Sequence, residues 1–192
     1  MYATLKRYGF FTYGQVIPGL TIDGEPAPYP VLNERAVRAG AGIMLALGAT
    51  AFALAFFQQN FLPLKIVVVF FFVDFLTKVV IGTRFSPVSN IAHLIVADQR
   101  PEYVGAIQKR FAWSIGLLMS LTMILLLFVF DVRGNINLAV CSFCLLVMWL
   151  ETSFGICVGC KMYYGLIKAK LIKAPEYRPA CPGGVCSLKK PH

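Results

Sequence analysis

Charge is scarce in this chain: Asp, Glu, Lys and Arg supply only 14% of its 192 residues, where an ordinary soluble domain carries about a quarter. With a hydrophobic fraction of 58% and a mean hydropathy of +0.70, that scarcity excludes an ordinary water-soluble globule. Histidine occurs only twice, too rarely for a pair of His-ligated haems, and no glycine-rich nucleotide-binding loop is present. No polar stretch is long enough to bury a core of its own. Four helical crossings of about 20 residues each use up so much of the length that any chemistry must lie in the bundle or on short tails. The first 36 residues lack an apolar core followed by a small-residue cleavage site, and Pro18, Pro26, Pro28 and Pro30 interrupt them. A cleaved signal peptide is therefore not expected.

What is present is a succession of apolar runs. The first span is expected from about Val37 to Phe57, after the helix cap Asn33, with Gly42, Ala46, Ala49 and Ala53 forming a small-residue stripe for close helix packing. A three-residue link leads to a second span, about Phe61 to Val80, which carries Lys65, Asp74 and Lys78. From Gly82 through Arg110 the chain is too polar to cross. Val88, Ile91, Leu94 and Ile95 share one face of a short helix after Pro87, the pattern of an interfacial helix between the second and third spans. The third span, Phe111 to Phe130, begins with Trp113 as an expected interface anchor, and the fourth runs from Ile136 to about Val158.

These runs define an all-α integral membrane protein with four transmembrane helices: a cytoplasmic segment over 1–36, a membrane domain over 37–160 and a basic Cys-containing cytoplasmic tail over 161–192. Orientation follows from Lys and Arg. Lys6, Arg7, Arg35 and Arg38 precede the first span, Arg84, Arg100, Lys109 and Arg110 lie in the middle loop, and seven more follow from Lys161 onward; the two links assigned outside share only Arg133. Both termini are expected inside, and the net charge of +9 reads as topology in a lipid bilayer, not as affinity for nucleic acid.

Six cysteines fall into three pairs, Cys141 with Cys144, Cys157 with Cys160, and Cys181 with Cys186. The last two pairs sit at or beyond the cytoplasmic face, where thiols are kept reduced, so reactive thiols or metal ligands fit better than structural disulfides. A regular helix would place Cys141 and Cys157 about 24 Å apart, so the six do not form one site. Cys141, Cys144, Met148, Glu151 and Gly155 share one face of the fourth helix; Cys157 and Cys160 point elsewhere unless Gly155 or Gly159 bends the chain. The outer pair also reads as ordinary core, because a buried free Cys packs as a small hydrophobe.

Two chemistries compete for the inner pairs. In one, a thiolate of Cys157 or Cys160 attacks a disulfide or persulfide and passes oxidising equivalents or sulfur to Cys181 and Cys186, with Lys161 near enough to favour the thiolate. In the other, Cys157, Cys160, Cys181 and Cys186 close around Zn²⁺ or a similar soft ion as a four-thiolate site. Asp74 and Glu151 are the remaining anomalies, since ionisable groups at membrane depth are costly. Counted along their helices they share a depth in the inner half of the membrane. Asp74 pairs with Lys78 at i, i+4 or handles protons or ions together with Glu151. His93 reads as a surface residue.

The segment Phe154-Gly155-Ile156-Cys157-Val158-Gly159-Cys160-Lys161-Met162-Tyr163 resembles the F-G-x-C-x-G-C-x-x-Y signature of an uncharacterised bacterial inner-membrane family known as domain of unknown function 4395. Asp74, Lys78 and Ser86-Pro87 are similar to that family's acidic, basic and Ser-Pro segment, and Val31-Leu32-Asn33-Glu34 to its N-terminal boundary. The similarity covers roughly residues 30–165 and stops short of Cys181 and Cys186. It implies a four-helix bacterial inner-membrane protein with paired cysteines at an inner face. It also implies company with thioredoxin-like or sulfur-transfer proteins. The expectation is a membrane thiol-redox or sulfur-relay protein using Cys157, Cys160, Cys181 and Cys186. A soft-metal transporter or metal-binding protein and a non-catalytic subunit of a membrane complex stand as alternatives. No cofactor is assigned.

Overall fold

The computed structural model describes residues 14–22, 25–132 and 134–173. Six α-helices carry the fold: α1 Glu34–Gln58, α2 Leu62–Val80, α3 Pro87–Ile95, α4 Ala106–Ile124, α5 Asn135–Phe154 and α6 Val158–Lys168. A single π-helical stretch, Leu125–Val129, prolongs α4. Short strands form two small antiparallel pairs, β1 Thr21–Ile22 with β2 Glu25–Pro26, and β3 Val31–Asn33 with β4 Tyr103–Gly105.

Three helices, α1, α4 with its π-helical extension, and α5, are long and apolar enough to cross a membrane. Large apolar side chains such as Leu118, Phe128, Ile136 and Leu146 face outward, as expected where the surrounding solvent is lipid and a helix satisfies its own backbone. Within the bundle α1 packs on α2, α3 and α5, while α4 packs on α2 and α6 and only lightly on α5. Two apolar clusters stack along the bundle. One gathers Leu32, Met44, Phe71, Phe75, Val88 and Trp113 at the β3–β4 end; the other gathers Ala51, Ala55, Leu64, Leu127 and Leu138 at the opposite end.

Several helix limits differ from those read in the sequence. α4 starts at Ala106, five residues before the expected Phe111, because β4 delivers the chain straight into a helix; Lys109 and Arg110 thus belong to its first turns. Trp113 is buried, 9% exposed, and serves the core instead of anchoring the interface. The buried stripe of α1 is Gly40, Met44, Gly48, Ala51 and Ala55, whereas Ala46 and Ala49 are exposed. Small size permits contact, but the neighbours' shapes choose the face: a Cβ on Gly48 would stand 3.0 Å from Leu145 and 3.6 Å from Phe71. α5 stops at Phe154, not near Val158. On α3, Val88 and Ala92 are buried against Gly40 of α1, and Ile91, Leu94 and Ile95 are exposed.

Candidate functional site

The β3–β4 pairing decides where the charges meet. Asn33 pairs with Tyr103 and Val31 with Gly105, so α1 and α4, which follow these strands directly, both start at this end of the bundle. The Asn33 side chain accepts hydrogen bonds from the backbone N–H of Arg35 at 3.1 Å and of Glu102 at 3.3 Å, capping α1 and tying it to the chain that leads into α4. Glu34 and Lys109 thereby come within 2.8 Å of each other. The Lys109 ammonium also lies 2.8 Å from Oε1 of Glu151, near the end of α5. Lys109 is fully buried, Glu34 almost so, and Glu151 is the one member with some exposure, 18%. Two carboxylates and one ammonium sum formally to one negative charge. Burying them is tolerable because each has a partner in reach; stripping one partner from such a buried pair costs about 3–5 kcal/mol.

One turn after Glu34, Arg38 donates to the carbonyls of Thr152 at 2.9 Å and Ser153 at 3.3 Å, satisfying the last turn of α5. Gly155 then takes the left-handed conformation, φ +67°. Its N–H bonds to the Glu151 carbonyl at 3.0 Å, and that of Ile156 to the Leu150 carbonyl at 3.2 Å. This glycine turn ends α5 and releases the chain to start α6 with Cys157 as its N-cap residue in extended conformation.

Cys160 follows in the first turn of α6. Both thiols are free and buried, Cys157 4% and Cys160 1% exposed. A hydrogen bond with Cys157, then burial, then the charge of Cys157 hold the Cys160 thiol well above the ordinary range, and the Lys109 ammonium only partly opposes them. Lys109 is thus within electrostatic reach of both sulfurs. α6 lies close on α4 because Gly159 has no side chain: a Cβ there would meet Ala112 Cβ at 2.5 Å. Tyr163 packs against Phe111 and Tyr164 with ring centroids 5.5 and 5.7 Å apart, completing the apolar cover over this end of α6.

A second buried network stands nearby. Lys78 Nζ lies 2.6 Å from Asp74 Oδ2, and the Ser86 hydroxyl donates to Asp74 Oδ1 at 2.6 Å while accepting from the Ser89 N–H at 3.0 Å. Ser86 thus caps α3 and fastens it to α2, with Pro87 preset for the first helical position. The Lys78 ammonium sits 5.7 Å from the ring centres of both Phe75 and Trp113. A cavity of about 60 Å³ bounded by Lys78, Trp113 and Glu151 lies between the two networks.

A larger cavity, about 180 Å³, occupies the bundle interior where α4 and α5 touch least. Cys141, Cys144, Met148 and Glu151 line it from α5, in agreement with the shared face read from the sequence, and Cys157 closes one end. Of the residues singled out beforehand, Cys157, Cys160 and Glu151 are brought together around Lys109. Asp74 and Lys78 form their own unit with Ser86, and Cys141 and Cys144 lie farther along the cavity wall. Lys161 has no part in either network; Lys109 is the cation beside the thiols. His93 is exposed. Cys181 and Cys186 lie outside the described residues. Among the described residues no group of three or more His, Cys, Asp or Glu converges to hold a metal ion.

Glu34, Arg38, Ser86 and Lys109 were not singled out for the site from the sequence. Lys109 had a usable signal. Ala106, Lys109, Trp113, Gly116, Ser120 and Met123 recur at helical spacing, which puts the lysine on the inward face.

Fold and site together define a helical membrane-type bundle with two buried charge networks and a free cysteine pair at a helix start. The chain belongs to the family described as Domain of unknown function (DUF4395), whose model matches residues 32–168. That range holds every residue of both networks and Cys157 with Cys160, and leaves out Cys181 and Cys186. No curated protein and no solved structure matches the chain.

Proposed function

We propose that this protein is a membrane thiol-redox or sulfur-relay protein in which Cys157 and Cys160 are the exchanging pair. The observation that carries this reading is the position of Cys157 as N-cap of α6, with Cys160 buried beside it in the first turn and the buried Lys109–Glu151 pair nearby. The start of α6 and the buried ammonium of Lys109 both lie beside Cys157, the sulfur that attacks. Cys160, in the first turn of the same helix, resolves the intermediate that Cys157 forms, losing its proton as the S–S bond closes. Cys181 and Cys186 supply the second pair of the relay, to which a thioredoxin-like or sulfur-transfer protein delivers or from which it collects.

The protein crosses the bacterial inner membrane four times, with α2 as the fourth span. The charges of α2 are compatible with that: Asp74 and Lys78 neutralise each other inside the bundle, and Lys65, near the start of α2, lies 3.8 Å from Asp131 beyond the end of α4. α3 lies in the interface with Ile91, Leu94 and Ile95 toward lipid. Both termini are cytoplasmic, in keeping with the Lys and Arg count.

The test is trapping. In Cys160→Ser the Cys157 sulfur still attacks but nothing releases the product, so a mixed disulfide with Cys181, Cys186 or a partner accumulates on non-reducing gels. Cys157→Ser yields none. Absence of an adduct in both variants, with both folded, overturns the reading.

A further inference from the structure

We propose that the 180 Å³ cavity between α4 and α5 binds the ring of a membrane-dissolved quinone, which takes two electrons from the Cys157–Cys160 dithiol. This deepens the thiol-redox reading and rests on it.

Both sulfurs are almost completely shielded from water, yet Cys157 forms part of the wall of an apolar chamber inside the bundle. An acceptor that meets this sulfur by way of the chamber dissolves in lipid. The rim of the chamber includes the exposed Phe143, on the side where α4 and α5 make few contacts, so a ligand with an apolar tail has a lateral way in. Size selects next: an engineered cavity of about 150 Å³ holds benzene, and a chamber of 180 Å³ holds one substituted six-membered ring.

Lining chemistry selects an aromatic occupant. The chain has six methionines, and four of them, Met119, Met123, Met148 and Met162, line this one cavity. Thioether sulfurs make favourable contacts with ring edges and adapt to an irregular ligand. Trp113 adds an aromatic surface, and Glu151 is the polar group at the Cys157 end, where a quinone oxygen requires a proton source or acceptor.

The reaction balances without a further reagent. The Cys157 sulfur bonds to a ring carbon, and its proton passes to one quinone oxygen by way of Glu151. The Cys160 sulfur then attacks Cys157; the S–S bond forms as the C–S bond breaks, and the released electron pair and the Cys160 proton complete the hydroquinone. One dithiol is oxidised to a disulfide and one quinone is reduced.

The experiment uses the full chain in lipid nanodiscs, reduced, freed of reductant and titrated without oxygen with ubiquinone-1. In a Trp149→Phe background the remaining fluorescence reports Trp113. The expected result is saturable quenching, with one quinone reduced for every two thiols lost and mass spectrometry locating the new disulfide at Cys157 and Cys160. Ile115→Phe and, separately, Val147→Phe fill the cavity from opposite walls and weaken the saturable quenching at least tenfold; thermal unfolding identifies whichever of the two is folded. Quenching that never saturates, or that persists in a folded cavity-filled variant, means partition into lipid and overturns the inference, as does saturable binding without thiol loss. A trapped adduct in Cys160→Ser alongside failed quinone reduction removes the quinone and leaves thiol exchange standing. Failure of both removes both.

Discussion

Lys109 Nζ and Glu151 Oε1 stand 2.8 Å apart although 42 residues separate them in the chain. The lysine lies in the first turns of α4 and the glutamate near the end of α5, and Glu34 at the start of α1 completes the cluster. Three helices are therefore fastened at one end of the bundle by a single ammonium. The free cysteine pair begins six residues beyond Glu151, so whatever sets the position of this cluster also sets the position of the thiols.

Lys109→Met should leave two buried carboxylates without a counter-charge and lower stability by about 3–5 kcal/mol. Adding Glu34→Gln and Glu151→Gln to the same variant should restore much of that loss, because the uncompensated charges go too. Unfolding in mixed detergent micelles measures both. Equal instability of the single and triple variants would show that packing of the lysine stem, not charge, dominates.

Asp74→Asn should impair folding far more than Asp131→Asn. The Asp74 side chain is fully buried, paired with Lys78 and bonded to Ser86, and its neutralisation leaves Lys78 charged in an apolar setting, again at about 3–5 kcal/mol. Asp131 is 60% exposed and its Lys65 partner is 3.8 Å away, an arrangement worth less than about 1 kcal/mol. Comparison of expression level and unfolding midpoint separates the two.

Gly159→Ala should lift α6 from α4, since the added methyl would sit 2.5 Å from Ala112 Cβ. The expected consequence is faster maleimide labelling of Cys157 and Cys160 in the intact membrane protein. Ala112→Gly in the same chain should leave labelling fast, because the Ala112 Cα also stands 2.6 Å from the position of the new methyl; unchanged slow labelling in Gly159→Ala would show that the close approach is not what shields the thiols.

Alkylation of Cys160 should stay slow at neutral pH and accelerate only in strongly alkaline solution. The thiolate is the reacting form, and the hydrogen bond with Cys157, followed by burial, keeps Cys160 protonated well above the ordinary thiol range. Cys157→Ala removes the leading cause and should move the onset of Cys160 labelling to lower pH. The sign for stability follows from proton counting: the folded chain retains a proton that the unfolded chain loses near pH 8.5, so this stabilising contribution is complete below that pH and declines above it. Iodoacetamide labelling followed by mass spectrometry, and unfolding midpoints across the same pH range, check the two halves.

A reporter fused after His192 should be active only when it reads the cytoplasm, in accord with the Lys and Arg distribution. Activity on the opposite side would reverse the assignment of every cysteine pair to its compartment.

Membrane character was legible in the sequence because it depends on composition and on runs of apolar residues, properties that each segment carries by itself. The cap Asn33, the helix after Pro87, the shared face of Cys141, Cys144, Met148 and Glu151, and the family resemblance were legible for the same reason: each rests on spacing within one stretch of chain. The Asp74–Lys78 contact was also within reach, being i, i+4 on one helix. Tertiary structure alone decided the rest. Three-residue strands such as β3 and β4 carry too little periodicity to be seen in either segment, and they exist by pairing across about 70 residues. That pairing brings the starts of α1 and α4 to one end of the bundle and so turns Glu34 and Lys109, which read as a family boundary and a topological charge, into partners. Gly155 was visible as a place for the chain to bend, but the Arg38 that satisfies the last carbonyls of α5 reaches them from another helix. A local pattern can show that a residue faces inward; which distant charge it faces there is decided only when the helices pack.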